Sequence, residues 1–335
     1  MSDMCTIWLS DADMTHSAGV SLASTIYRTS ITIGFTGELG AGKTTFLQGF
    51  LKGLGVSDMV TSPTYALEQR YKVESGKWKV ENENFEILHI DLYRLDEGKS
   101  DEFLHGSDDH EGIRCIEWVE RSTIQPDILI KIDEKDGGRM LTVQFDDIPL
   151  PKESDILKWR EEVALPQRIC DHCDAVAAHV LDLGQRLQDR GIIIRSKALK
   201  LSALVHDLLR FVDFVPGAGH GPDENENPPE WEHWRKKFEN KSHGTACADL
   251  LEERGYPELA SIVRVHGLML PTPDRKKIEQ KLLFYADKCV KMDEVVTLEE
   301  RFEDFAKRYS GGDKTKDGDI WFAEAVSLEQ ELFPS

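Results

Sequence analysis

The stretch GELGAGKTT, Gly37 to Thr45, decides the fold of the first half of this chain. It follows SITIGFTG, a run rich in β-branched residues, and leads into TTFLQGFLKGLG, whose apolar residues recur at helical spacing and end at Gly55. The unit is therefore strand, glycine loop, helix. In the pattern G-x-x-x-x-G-K-T, glycines let backbone N–H groups turn toward phosphate oxygens, and the helix N-terminus adds positive potential. Lys43 is placed to reach the β- and γ-phosphates of a nucleotide, and the Thr44 hydroxyl to bind Mg²⁺. Gly37, Glu38, Leu39, Gly40, Ala41, Gly42, Lys43, Thr44 and Thr45 are thus the expected nucleotide–Mg²⁺ cradle.

Such a cradle needs an acid on the metal side. Asp91 closes the apolar strand FEILHID, which is expected to set its carboxylate beside the phosphates as a Walker B acid. Glu117 ends the apolar run RCIE and offers a second carboxylate, or is a strand-end acid meeting solvent. TSPTY, Thr61 to Tyr65, is a hydroxyl-rich loop held by a proline; it folds over the γ-phosphate as a switch or is a plain turn. Around these lie a short strand at CTIWL, a helix over 14–27, the strand-rich VTSPTYALEQRYKV, and a polar hairpin connection at ESGKWKVENEN. ILIKIDEKDGGRMLTVQFDD reads as two strands about a Lys-Asp-Gly-Gly turn.

GELGAGKTT, VTSPTYALEQRY, HIDLYRL and IEWVER, in this order and spacing, resemble TsaE, the bacterial ATPase needed to make threonylcarbamoyladenosine in tRNA. The resemblance covers roughly residues 1–148. It implies ATP hydrolysis coupled to a partner, the TsaD–TsaB threonylcarbamoyl transferase. Lys43 and Thr44 carry over as phosphate and Mg²⁺ ligands, Asp91 as the Walker B acid, Thr64 as a switch residue, and Glu117 with Trp118 as the element near the nucleotide. Val119 stands where the family often has proline, and KVESGKWKVENEN is an extended insertion.

After Asp147 the texture changes. IPLPKESD reads as a linker, and helices are expected over 168–190, 196–214, 243–254, 257–267, 274–292 and 297–309. VPGAGHGPDENENPPEWEHW is too polar and broken for core. In LSALVHDLLRF, His206 and Asp207 sit in an otherwise apolar helix, and a buried carboxylate loses several kcal/mol of hydration unless something compensates. A metal ion compensates. His172, His243, His266 and Asp287 are further candidate ligands at helical positions. Histidine with carboxylate suits Mn²⁺, Fe, Zn²⁺ or Mg²⁺ and a bound water activated for attack. Each also has a structural reading: His172 and His243 as helix caps, His266 as a core histidine, Asp287 as the partner of Lys288. His179 and His220 lack the pattern.

R-x-x-x-H, H-D, H, H-G and a late A-D-K resemble, in this order, the HD-domain metal-dependent phosphohydrolases over about residues 165–310. The resemblance implies a mononuclear site from His172, His206, Asp207 and Asp287, with His243 and His266 facing the same cavity to bind a second metal or the phosphate. H-D-L-L-R replaces the usual H-D-x-x-K, so Arg210 takes the phosphate-contacting role. Segment 215–242, with Trp231 and Trp234, reads as a lid or specificity loop over the metal, or as a passive insertion.

The fold class expected is an α/β P-loop NTPase-like domain followed by an all-α HD domain: residues 1–148, a linker at 149–164, and 165–335. The 335 residues suit two domains, and 40% hydrophobic with 30% charged residues describes a globular chain. No apolar run approaches the ~18 residues that cross a bilayer, and MSDMCTIWLSDADM lacks the marks of a signal peptide, so a cytoplasmic protein with no membrane partner is expected. Cysteines at 5, 115, 170, 173, 247 and 289 read as buried thiols; Cys170-x-x-Cys173 has no second pair and lies on a helix, which argues against a zinc ribbon. A net charge of −20 lacks the cationic surplus for autonomous RNA binding, so tRNA is expected only indirectly, through partners. The leading expectation is a bifunctional fusion. The alternatives are a helical half that senses a nucleotide or metal without turnover, and a first half that is a small-molecule kinase.

Overall fold

The structure, a computed structural model, describes residues 2–73, 85–215 and 227–334. It divides into two compact units, one of Met1–Ile148 with Arg186–Arg195, the other of Pro149–Gln185 with Ser196–Ser335.

The first unit runs β1 (Asp3–Leu9), α1 (Ala12–Ala23), β2 (Ile31–Thr36), α2 (Lys43–Leu54), β3 (Glu68–Lys72), β4 (Glu86–Asp91), α3 (Glu97–His105), β5 (Ile113–Glu117), β6 (Ile128–Lys135) and β7 (Gly138–Phe145). Its sheet has the order β1-β7-β6-β2-β5-β4-β3. β2 pairs in parallel with β5 and β6, and β4 with β5, while β1, β3 and β7 pair antiparallel with their neighbours. Of the parallel strands, β2, β4 and β5 are buried on both faces, hence their largely apolar runs. The register aligns Phe35 with Glu117 and Glu117 with Asp91, so both acids reach the sheet edge where β2 enters the glycine loop. α1 and α2 pack closely because glycines remove the obstacles. A Cβ on Gly19 would lie 2.0 Å from the Phe46 carbonyl oxygen, and one on Gly49 would lie 1.9 Å from that of His16.

Some expectations shift. Within VTSPTYALEQRYKV only Glu68–Lys72 is strand; the residues before it form a loop with Leu67 at a φ of 66°. Most of the expected hairpin connection at 74–84 lies outside the described residues. α3 was not anticipated: its polar sequence buries only Ser100 and Leu104 among its described side chains. Segment Arg186–Arg195 counts with this unit. The buried Arg195 guanidinium donates twice to the Asp147 carboxylate, at 2.6 and 2.8 Å, and once to the Thr25 carbonyl at 2.8 Å.

The second unit holds α4 (Glu153–Glu162), α5 (Gln167–Gln188, its tail excepted), α6 (Ser196–Val205), α7 (Pro229–Lys237), α8 (His243–Glu253), α9 (Pro257–Val263), α10 (Ile278–Lys288), the ribbon β8 (Val290–Lys291) and β9 (Glu294–Val295), α11 (Leu298–Ser310) and α12 (Lys316–Leu332). The stretch 149–164 read as a linker contains α4, with Ile156 and Arg160 buried. α6 stops short of the expected 214. It ends at Val205, where the His206 ring turns back to the Ala203 carbonyl, and a 3-10 turn follows at Arg210–Asp213. The expectation that 215–234 stays out of the core is corrected at its end. Trp231 is fully buried and stacks on Phe211 with centroids 4.7 Å apart, and Trp234 is buried beside Phe238. Apolar area of that size outweighs the polar composition around it. The middle of the expected lid, 216–226 with His220, lies outside the described residues.

Candidate functional sites

In the first unit the glycine loop sits between β2 and α2. Gly37, Gly40 and Gly42 have φ of 137°, 86° and 107°, a region that L side chains avoid. Gly42 caps α2, so Lys43 and Thr44 open the helix. Lys43 is buried; its ammonium donates to the Gly37 carbonyl at 2.7 Å and the Glu38 carbonyl at 3.0 Å, and lies 3.8 Å from the centre of the Trp118 ring. Burial lowers its pKa, and the Glu117 charge works against that shift. Trp118 reaches this position because its backbone turns left-handed at φ 62° directly after β5. Leu39 is exposed at the loop tip, and Arg139 on β7 braces the loop by donating to the Ala41 carbonyl at 2.8 Å.

The two acids meet different hydroxyls. The Thr44 hydroxyl donates to Glu117, at 2.9 Å to Oε1 and 3.2 Å to Oε2. Asp91, the expected Walker B acid, accepts from Ser62 at 2.7 Å and Thr64 at 2.5 Å through Oδ2, and from the Tyr93 amide at 2.9 Å through Oδ1. The reason is topological: β5, which carries Glu117, is the direct neighbour of β2, and β4 is one strand farther. TSPTY is therefore a loop tied to Asp91. His89 was missed by sequence reading. It is fully buried on β4, and its Nε2 lies 3.0 Å from Glu117 Oε1. A carboxylate only accepts, so this nitrogen carries the proton and holds Glu117 toward Thr44. The H of HIDLYRL was the available signal. Tyr93 and Arg121, beside Trp118 at 5.1 Å between rings and 5.5 Å from guanidinium carbon to ring, had none.

In the second unit, α5, the end of α6, α8, the end of α9 and α10 bring all six expected metal-ligating residues together. Three groups have ligand atoms within 4.8 Å of one another: His172, His206 and Asp207; His206, His266 and Asp287; Asp207, His243 and His266. Each imidazole is oriented from behind. Nδ1 faces the Met292 carbonyl in His172 (2.8 Å), the Ala203 carbonyl in His206 (2.7 Å) and the Val263 carbonyl in His266 (2.6 Å). In His243 it faces Asp213 at 2.5 Å. The three carbonyls accept only, so Nδ1 carries a proton in His172, His206 and His266, while His243 Nδ1 lies between Asp213 and, at 2.7 Å, the Arg210 guanidinium; all four Nε2 atoms turn inward. There His172 Nε2 lies 3.0 Å from Asp287 Oδ1, and His243 Nε2 lies 3.1 Å from Asp207 Oδ1. His206 Nε2 is buried with no hydrogen-bond partner. Inward-facing imidazole nitrogens, two carboxylates and one orphaned nitrogen fit a divalent cation, which would displace the protons between them.

The electrostatics agree. Burial opposes ionisation of Asp207, yet His206 and His243 outweigh it and hold the carboxyl well below the usual range. Burial is likewise outweighed at Asp287, chiefly by Lys288 and His172. At His206, burial opposes the charged ring, but anionic neighbours, Asp207 and Asp287 among them, hold its pKa well above the ordinary value. At His266, burial, reinforced by His206 and His243, pushes it down to about 4. Asp207 is the hinge of the site: Oδ2 lies 3.9 Å from His206 Nε2, and Oδ1 faces His243 and, at 3.6 Å, His266.

The groups open into a cavity of about 390 Å³, whose wall includes Arg168, Arg210, Arg264, Lys288, Arg301 and Arg308. Arg210 lies 3.2 Å from Asp213, the partner of His243. Asp213 was not foreseen, because D-x-x-x-x-x-D carries no recognisable spacing. Cys170 and Cys173 belong to no metal group among the described residues; both are free thiols on α5, and burial pushes Cys170 up to about 11.

A mixed sheet with a phosphate loop at the end of its central strand, and a helical unit with a histidine–aspartate cavity, define a P-loop protein that also carries an HD-type domain. The chain belongs to the TsaE family. Residues 9–141 match the family described as threonylcarbamoyl adenosine biosynthesis protein TsaE, and residues 169–292 match the HD domain. Curated relatives named tRNA threonylcarbamoyladenosine biosynthesis protein TsaE align with the N-terminal part. The protein from Nostoc is 32% identical over 39% of this chain and 78% of its own length. That from Haemophilus influenzae is 40% identical over 33% and 67%, and that from Aquifex aeolicus 38% identical over 31% and 68%. The crystal structure of Bacillus subtilis YdiB aligns with 43% of this chain and 87% of its own, with a TM-score of 0.33 and 23% identity.

Proposed function

We propose that the chain carries two hydrolytic centres: an ATPase that supports threonylcarbamoyladenosine formation in tRNA, and a metal-dependent phosphoester hydrolase. For the first, the supporting observation is the Thr44–Glu117 pair under the phosphate loop. Phosphate oxygens take over the Lys43 ammonium from the Gly37 and Glu38 carbonyls. Thr44 and Glu117 hold Mg²⁺, His89 keeps Glu117 in place, and Asp91 holds the Ser62–Thr64 loop beside the γ-phosphate. The relatives are named for tRNA threonylcarbamoyladenosine biosynthesis, and the resemblance to TsaE supports a TsaD–TsaB-like complex as partner. A charge of −20 suits tRNA held by that partner and a cytoplasmic setting. No described helix is long and apolar enough to cross a membrane.

For the second centre the supporting observation is the convergence of four Nε2 atoms and two carboxylates on one cavity. His172, His206, Asp207 and Asp287 hold a divalent ion, Mn²⁺, Fe, Zn²⁺ or Mg²⁺; the free Asp207 oxygen, His243 and His266 face a second ion or the phosphate. A bound ion supplies Lewis acidity and a water of lowered pKa. Arg210 orients the phosphate. Water oxygen bonds to phosphorus as the ester P–O bond breaks, and a water proton ends on the leaving alcohol.

The test is phosphate release from a phosphoester panel with Mn²⁺, comparing the intact chain with Asp207→Ala, each with and without Lys43→Ala. Turnover that survives Lys43→Ala and disappears with Asp207→Ala supports two separate enzymes. Absence of any Asp207-dependent turnover, with metal bound, would leave a sensor attached to an ATPase.

A further inference from the structure

We propose that the α11–α12 hairpin is a nucleobase chamber, so that the phosphoester taken by the helical unit is a nucleotide; this rests on reading that unit as a phosphoester hydrolase. A second cavity of about 490 Å³ lies between these helices. It shares Leu268, Phe305, Tyr309 and Trp321 with the 390 Å³ metal-side cavity, so one ligand spans both. Its walls are aromatic. Phe302 meets Phe305 edge-on at 5.5 Å and Phe322 at 5.3 Å, and all three stay half-buried. Trp321 is pinned by its indole N–H to the Met269 carbonyl at 3.0 Å and has no ring partner among the described residues. A rigid, half-buried indole beside unpaired volume is a stacking platform, and stacking is the interaction every base offers.

The metal-side cavity that adjoins this chamber carries cationic side chains, Arg301 and Arg308 among them. Arg301 and Arg308 both pair with Asp304, to which Lys291 also bonds, so three cations share one carboxylate. The Arg301 side chain is buried, and its Nε lacks any hydrogen-bond partner. A phosphate between base and metal would satisfy that donor and the surplus charge. Glu303 and Asp319, also on the chamber wall, offer acceptors to a base bearing amino groups. A sugar phosphate or inorganic phosphate would use the metal side and leave the aromatic chamber empty.

The experiment uses the full chain carrying Lys43→Ala, loaded with Mn²⁺, and calorimetric binding of AMP, GMP, CMP, UMP and ribose 5-phosphate. At least one nucleotide is expected to bind about tenfold tighter than ribose 5-phosphate, the size of one base stack. Trp321→Ala should bring that ratio close to one, and Phe305→Leu, a milder change, should lower it. A ratio near one in the parent, or one unmoved by both substitutions, overturns the chamber. Hydrolysis of p-nitrophenyl phosphate, which carries no base, reads the chemistry separately through Asp207→Ala. If that hydrolysis is absent while nucleotides bind through Trp321, the chamber stands and the hydrolase reading falls. If it is present and the ratio is near one, the chamber alone falls.

Discussion

The Thr44 hydroxyl donates to Glu117 at 2.9 Å across 73 positions of sequence, and this pair, not Thr44 with Asp91, forms the floor of the phosphate loop. Glu117→Gln keeps an acceptor for Thr44 and His89 but removes the charge that faces Mg²⁺. ATPase kcat should fall by about 10² or more, with a smaller change in nucleotide affinity. Thr44→Val should fall similarly, and the double variant little further, because both act through one contact. Additive losses would mean that the two residues serve separate steps.

Asp91 acts through the loop it holds. Asp91→Asn weakens charge-assisted bonds from Ser62 and Thr64, each worth roughly 1.5–3 kcal/mol. Amides of the Thr61–Leu67 loop should then exchange faster with deuterium, while those of α2 stay protected. Unchanged exchange in the loop would return Asp91 to the metal side.

Asp213 is not among the expected ligands, yet it holds the ring of one of them, His243. Asp213→Asn should weaken metal binding by about 10–100-fold and leave the helical content intact. Equal metal affinity in the variant would show that Arg210 or backbone alone suffices to orient His243.

Metal binding should release protons. In the metal-free site His206 has a raised pKa, so at neutral pH it holds a proton that a cation must expel, whereas His266, at about 4, is already neutral there and Asp207 and Asp287 are ionised. Affinity therefore rises with pH until the His206 value is passed and then levels off. Calorimetry in buffers of different ionisation enthalpy should count about one proton near neutrality. Zero protons would remove His206 from the ligand set.

Trp231 distinguishes packing from gating. Its indole N–H donates to the Ala164 carbonyl at 3.1 Å and its ring is fully buried, so Trp231→Ala should cost about 3–5 kcal/mol in the unfolding of the helical unit. A lid residue would instead change turnover with little loss of stability.

Much was legible because local chemistry left no alternative. Glycines at 37, 40 and 42 are required by positive φ, and Lys-Thr at the helix start is required by phosphate, so GELGAGKTT specified loop, helix and ligand class together. His206-Asp207 in an apolar setting announced a compensating charge. α3, α4 and α12 escaped because they bury only a few residues, too few to set a helical period against a polar background.

The sequence by itself determined the α/β-then-helical order of the chain and singled out the six candidate ligands that the fold gathers at one cavity. Only the tertiary structure decided how they are paired. Strand order chose Glu117 over Asp91 for Thr44, because adjacency in a sheet is set by crossover connections and not by distance along the chain. Pairing of β4 with β5 brought His89 to Glu117, and packing in the helical unit placed Asp213 and Arg301 beside neighbours remote in sequence and buried Trp231 where composition alone suggested solvent.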